Sequence, residues 1–200
     1  MTIRKGEEWG TRVTCPAHIE IAEDDFDASR QSPHEPFALR RGDLHIALGA
    51  PRTPRPLSEC TMLPIDALKC SITSVHGDVR EEFAISSVSL GSWWRGTFTV
   101  VSNSGFWNGL NIAPRSHPND GEADLVTISP EMQLRQRFIA RRRARTGTHI
   151  PHPTLSVHRC AEFSHLKSSA RERLTLDGRA IDNWISVDIS VVPDFWSVLV

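Results

Sequence analysis

The chain has almost no net charge, no Cys-x-x-Cys spacing and no long apolar run, and each absence removes a class of function. Lys and Arg total 23 against 24 Asp and Glu, a formal charge of -1, so the whole molecule offers no general attraction for nucleic acid and any basic surface must be local. No window approaches 18 uninterrupted apolar residues, and the opening "MTIRKGEEWG" lacks an apolar leader core. Neither a membrane span nor export is expected, and the location implied is cytoplasmic. Cys15, Cys60, Cys70 and Cys160 are scattered and are read as reduced thiols rather than a disulfide framework. There is no internal repeat and no strand-helix alternation of the doubly wound kind.

What is present divides near residue 62. Before it, "AEDDFDASRQSPHEPF" is polar and acidic and "APRTPRPLSE" is rich in proline, so residues 1–62 read as an irregular segment. That segment carries a candidate strand within Thr11 to Ile21 and a short helical turn near Asp43 to Leu48. From residue 63 to 200, β-branched and aromatic residues gather into short runs such as "IDALKCSIT", "EEFAISSVSL", "WWRGTFTVVS", "ADLVTIS", "WISVDISVV" and "FWSVLV". Phe98, Val100 and Ser102 alternate with Thr97, Thr99 and Val101, the period of a strand. Short strands about ten residues apart with turn signals between them predict an antiparallel β-sandwich.

One amphipathic helix is predicted, from Pro130 to Arg145 in "SPEMQLRQRFIARRRARTG". Ser129 suits the N-cap, Pro130 the first helical position, and Gly147 a positive-φ stop. Leu134, Phe138 and Ile139 form its expected core-facing stripe, leaving an arginine-rich remainder. That remainder fits a solvated face, or an anionic membrane surface met by Arg141, Arg142 and Arg143. Nucleic acid is not expected, because no recognition fold accompanies the charge.

The loop "IAPRSHPNDGEADLV" is the richest local signal. Asn119-Asp120-Gly121 reads first as a turn, with Gly free to take positive φ. Asp120 and Asp124 are also spaced so that a bent loop could turn one of them, with backbone carbonyls, toward a hard cation, although EF-hand spacing is absent. His149 and His152 in "THIPHP" are separated by Pro151, so no helix presents them together and a structural role is the better reading. Trp93, Trp94 and Trp107 near Gly96, Gly105 and Gly109 suit a sandwich core or an acyl pocket equally. Ser102 and Ser104 lack a Gly-x-Ser-x-Gly elbow and are not a hydrolase site.

Taken in order, "NSGFWNGLNIAPRSHPNDGEADLVTI", "TGTHIPHPTLSVHRC", "RLTLDGRAID" and "VVPDFWSVLV" resemble the C-terminal half of the bacterial diacylglycerol kinase and sphingosine kinase-like family. The matching positions are Asn103, Ala113, Pro114, Asp120, Gly121, Asp124, Gly147, His149, Pro153, Asp177, Gly178 and Pro193. The resemblance implies a β-sandwich substrate domain beside a nucleotide domain, with lipid entering near the cleft. It also implies a structural Mg²⁺ at Asp120, with Asp124 a weaker ligand, and cleft positions for Asn103 and His149.

Three departures bear on activity. The Gly-Gly-Asp-Gly-Thr loop that cradles ATP in the family is missing. A second nucleotide-side motif survives only as "LRRGDLHIALG", keeping Gly42, Asp43, Leu48 and Gly49. Where the family has the Glu of Asp-Gly-Glu, a candidate base, this chain has Arg179, which stays protonated; Asp177 and Asp182 are the only nearby substitutes. The expectation is a degenerate lipid-kinase-like protein that binds a lipid or a partner kinase domain without autonomous phosphoryl transfer. The alternatives are a lipid kinase whose ATP site is supplied by a separate nucleotide-binding chain, or a structural module.

Overall fold

Two sixteen-residue strands, Glu59–Ser74 and Trp184–Leu199, pair antiparallel along most of their length and form the spine of the molecule. The computed structural model describes residues 9–200. In chain order these form β1 (Thr11–Thr14), β2 (Glu20–Ala22), α1 (Asp25–Ala28), β3 (Phe37–Leu39), α2 (Asp43–Ala47), β4 (Glu59–Ser74), β5 (Val79–Ala84), β6 (Ser87–Ser92) and β7 (Arg95–Ser102). They continue as β8 (Phe106–Trp107), β9 (Leu110–Asn111), β10 (Ala123–Ile128), α3 (Leu134–Ala144), β11 (Leu155–Cys160), β12 (Glu162–Leu166), β13 (Leu174–Leu176), β14 (Arg179–Ile181) and β15 (Trp184–Leu199).

Two sheets make the predicted sandwich. One runs β1-β4-β15-β3-β2, with β5 added to β4 and β12 to β15; the other runs β11-β10-β7-β6-β13-β14. All pairings are antiparallel except β15 with β3 and β3 with β2. Leu68, Cys70 and Ile72 of β4 and Trp184, Val187 and Ile189 of β15 meet Val88, Leu90, Val101 and Leu174 from the facing sheet. Burying such side chains contributes about 1.5–3 kcal/mol each. The alternation in β7 is as read: Val101 enters this core while Phe98 and Val100 point to the opposite face, where α3 and the β8–β9 hairpin cover them.

The runs "WISVDISVV" and "FWSVLV", expected as separate strands, are one strand. A register shift between Val192 and Trp196 absorbs Pro193, which has no N–H to donate, and Asp194, whose φ is 53°. The run "EEFAISSVSL" divides instead into β5 and β6, because the amides of Ile85, Ser86 and Ser87 turn away from the ladder. Among the described residues before Glu59 no element exceeds five residues. Phe37, Leu39 and Leu44 from that stretch are nevertheless buried with Ile65, Trp196 and Val198, and residue 62 lies inside β4.

Helix α3 differs from expectation at its start and in its orientation. It begins at Leu134 with Gln133 as N-cap, while Ser129 lies outside it and its Oγ accepts from the Glu131 N–H at 3.2 Å. The expected inward stripe faces solvent: Leu134 is 62 %, Phe138 63 % and Ile139 41 % exposed. The buried residues are Arg137, Ala140 and Ala144. The cause is Arg137, whose guanidinium lies inside and donates to the carbonyls of Met132 (3.0 Å), Trp93 (2.8 Å), Ser129 (2.9 Å) and Gly96. Satisfying those carbonyls around a buried cation rotates the small alanines inward and the large apolar residues outward.

Candidate functional site

An acidic pocket of about 310 Å³ opens where five separated segments meet, lined among others by Asp25, Gly42, Asp43, Ser87, Trp107 and Asp177. Each carboxylate is held by backbone amides. Asp25 of α1 accepts from the N–H groups of Asp43 (2.6 Å) and Leu44 (3.2 Å) at the start of α2. Gly42, at φ 124°, leaves the space that Asp25 fills; a Cβ there would overlap the carboxylate. Asp43 in turn accepts from Asn108 and Gly109 in the β8–β9 turn, both at 2.7 Å. Asp177, in the left-handed region at φ 45°, accepts from Ile85 (2.8 Å), Ser86 (2.9 Å) and Ser87 (2.9 Å).

Crowding these groups away from water makes them hold protons. Burial pushes Asp25 up to about 7, with the nearby charges of Asp43 and Asp24 acting the same way against the two amides. Burial, then the charge of Asp25, pushes Asp177 up to about 8, although the residue as a whole is half-buried. Burial also raises Asp43. Carboxyl groups that exchange protons near neutrality inside a pocket can accept a proton from a bound hydroxyl group or hold a hydrogen-bonded ligand.

The structure brings Gly42, Asp43, Asp177 and Gly178 to one place, a meeting that the sequence reading did not state. Asp25 was not legible in the sequence, since "AEDDFDASR" carries four acids and no spacing rule singles one out. The other candidates separate. Arg179 stacks its guanidinium over Phe26, 4.4 Å from the ring centroid. Asp182 follows β14 at the open end of the β13–β14 hairpin, whereas Asp177 lies at its tip, so Asp182 is no substitute in this pocket.

Asn103 and His149 do not line the pocket. Asn103 is fully buried, and its amide donates to the carbonyls of Asp66 (2.9 Å) and Ile85 (3.2 Å), tying β4 to the β5–β6 turn. His149 is 3 % exposed, its Nε2 is 3.2 Å from the Ile112 carbonyl, and burial lowers its pKa. Both are buried and held to backbone carbonyls, while Asn103 Oδ1 and His149 Nδ1 have no hydrogen-bond partner among the described residues.

The loop from Ile112 to Val126 is organised by a residue in β4. Asp66, fully buried, accepts from Gly121 N–H (2.8 Å), Asn119 Nδ2 (3.0 Å) and Asp194 N–H (2.9 Å). Asp120 pairs with the Arg159 guanidinium through one oxygen and accepts the Glu122 N–H (3.2 Å) through the other; Arg159 also reaches Glu122 at 3.0 Å. Asp124 turns to Ser116, and burial raises its pKa. The resemblance implied Mg²⁺ here, but the donor set does not fit it: both Asp120 oxygens are engaged and the guanidinium already supplies the positive charge. Among the described residues, no three His, Cys, Asp or Glu side chains form a metal-binding group.

On the opposite side of α3, Arg142 and Arg143 join Arg135, Phe138 and Ile139 around an open groove of about 610 Å³. Arg141 parts from them and packs over Trp93, Trp94 and Trp107, 5.6–5.8 Å from the three ring centroids. No described helix is long and apolar enough to cross a membrane.

Comparisons with known proteins agree with this architecture. No curated protein matches the chain in sequence. In fold it is similar to a protein assigned as a diacylglycerol kinase from Bacillus anthracis str. Sterne, at 10 % identity over 86 % of this chain and 73 % of that one, with a TM-score of 0.52. It is similar also to yeast NADH kinase complexed with NADH, at 7 % identity, covering 90 % of this chain but only 60 % of that one, with a TM-score of 0.53. A family model described as the YegS C-terminal NAD kinase beta sandwich-like domain matches residues 73–200, and the chain belongs to that family.

Proposed function

We propose that this protein is a diacylglycerol kinase-like substrate domain that binds an anionic lipid surface and does not transfer phosphate on its own. The observation that carries the reading is the outward face of α3, where Leu134, Phe138 and Ile139 stand exposed among Arg135, Arg142 and Arg143. None of these three arginines has an ion-pair partner among the described residues. Apolar side chains that enter the acyl boundary beside guanidinium groups that meet phosphates are the composition of an interfacial helix. Basic residues near such a surface contribute about 1 kcal/mol each. Loss of autonomous transfer is supported at α2, where the Asp43 and Leu44 amides are already taken by the Asp25 carboxylate. Arg179 at the base position is held on Phe26.

The test is co-sedimentation with phosphatidylglycerol and phosphatidylcholine vesicles, run beside γ-phosphate transfer from Mg-ATP to diacylglycerol and sphingosine. Binding to the anionic vesicles is expected, weakened at least about tenfold by Arg142→Glu with Arg143→Glu, and no transfer is expected. Arg141 is left intact because the tryptophans use it. Binding unchanged by the double variant overturns the surface assignment, and transfer by the chain alone overturns the second half.

A second reading rests on the acidic pocket. Asp25, pushed up to about 7 beside Asp43, has a protonation range that would suit a base if a separate chain supplied the nucleotide and an acceptor hydroxyl entered this pocket. Transfer that appears only when a nucleotide-binding kinase domain is added, and that is lost in Asp25→Asn, would favour it.

A further inference from the structure

Cys15, just after β1, and Cys60, in β4, bring their sulfurs to 2.9 Å from each other in the interior. The ladder sets this up. Val13 pairs with Cys60, and the pairing continues past β1 as Cys15 N–H donates to the Ser58 carbonyl (2.8 Å) and Leu57 N–H to the Cys15 carbonyl (3.2 Å). Residues 13 and 15 share a face, so Cys15 and Cys60 are diagonal neighbours on one side of the strand pair. Leu199 closes over both with Val13, Ile19 and Met62 around them. The other two cysteines lack such an arrangement: Cys70 turns its thiol to the Leu68 carbonyl of its own strand, and Cys160 ends β11 in the other sheet.

We propose that Cys15 and Cys60 are a redox-responsive dithiol, converted by small-molecule disulfides into an internal disulfide that fastens β1 to β4. The sulfurs need to approach by only about 0.9 Å to reach the bond length of about 2.05 Å. One thiolate attacks the reagent disulfide, forming a mixed disulfide and releasing one thiol. The second thiolate then attacks the protein sulfur of that mixed disulfide and releases the other thiol. The two protein thiols lose two electrons and two protons, the reagent gains both, and the product is one internal S–S bond with two free reagent thiols.

Two features make the reaction conditional. β1 is a four-residue edge strand whose one strand partner among the described residues is β4, so it can open without disturbing the spine. In the closed state, burial and then the hydrogen bond with Cys15 push the Cys60 thiol up to about 11, which keeps the pair quiet until β1 opens. The bond would close residues 16–59 into a loop, and that loop carries Asp25, Gly42 and Asp43 of the acidic pocket. Oxidation thereby tethers one half of the pocket to the sandwich, independently of any lipid binding.

The experiment treats the full chain with oxidised glutathione, denatures it, alkylates free thiols and maps the peptides by mass spectrometry. A Cys15–Cys60 linked peptide is expected, with Cys70 and Cys160 alkylated, reversal by dithiothreitol, and a melting temperature higher by roughly 5 °C or more in the oxidised form. Cys60→Ser removes the link and the shift. Should that variant not fold, Cys160→Ser serves in its place, in which link and shift both persist. Four alkylated cysteines after oxidation, a different pairing, or a linked form that melts no higher than the reduced one overturns the proposal.

Discussion

Arg137 and Trp93 bind each other twice: the guanidinium donates to the Trp93 carbonyl at 2.8 Å, and the Trp93 indole N–H donates to the Arg137 carbonyl at 3.3 Å. This reciprocal pair fixes α3 against the β6–β7 turn. It turns the basic, apolar face of the helix outward.

Replacing Arg137 with Met keeps much of the volume but removes the side-chain donor to the carbonyls of Met132, Trp93 and Gly96, while the Ser129 carbonyl keeps the Met132 N–H. The expected loss is about 3 kcal/mol or more, since buried unsatisfied groups cost about 1–3 kcal/mol each. Urea denaturation measures it. A loss below about 1 kcal/mol would mean that the helix is held chiefly by Ala140 and Ala144.

Asp25 and Asp177 make stability depend on pH in the direction opposite to an ordinary salt-bridged carboxylate. Both are raised from 3.8, to about 7 and about 8, so between those values the folded chain binds more protons than the unfolded one. Their contribution is fully present below about pH 3.8 and is lost as pH rises through about 7 and 8. Unfolding free energy should therefore fall by at least about 1 kcal/mol from pH 5 to pH 8, and Asp25→Asn should flatten the slope. A wild-type profile that rises over this interval would show that the two carboxyl groups are ionised.

Arg159 predicts the response to magnesium. With its guanidinium between Asp120 and Glu122, the wild-type melting temperature should be the same with and without millimolar Mg²⁺. Arg159→Gln should lower stability by about 1 kcal/mol or less, because the guanidinium is half exposed, and it should make the melt respond to Mg²⁺ by freeing two carboxylates. A wild-type shift with Mg²⁺, abolished in Asp120→Ala, would restore a cation to this loop.

Local pattern carried much of the architecture. The alternation through Phe98, Val100 and Val101 placed those residues on their observed faces, because a strand's period of two is a property of the backbone alone. Gly147, at φ 66° just past α3, and the helical turn at Asp43 were likewise readable from single-residue preferences. The ordered motifs from Asn103 to Pro193 pointed to the family that the chain belongs to.

What the tertiary structure decided are relationships between residues far apart in the chain. The stripe Leu134, Phe138 and Ile139 looked like a core face, and only the carbonyls of Met132, Trp93, Ser129 and Gly96 converging on Arg137 reveal that the opposite face is buried. Asp25 meets Asp177 across about three-quarters of the chain, Asp66 gathers the loop around Asn119, and Arg159 finds Asp120 from a neighbouring strand. Periodicity reports how a segment is built. Which face it buries, and which charge it then meets, follow from the free energy of satisfying every enclosed polar group at once, and that is settled only when the segments pack.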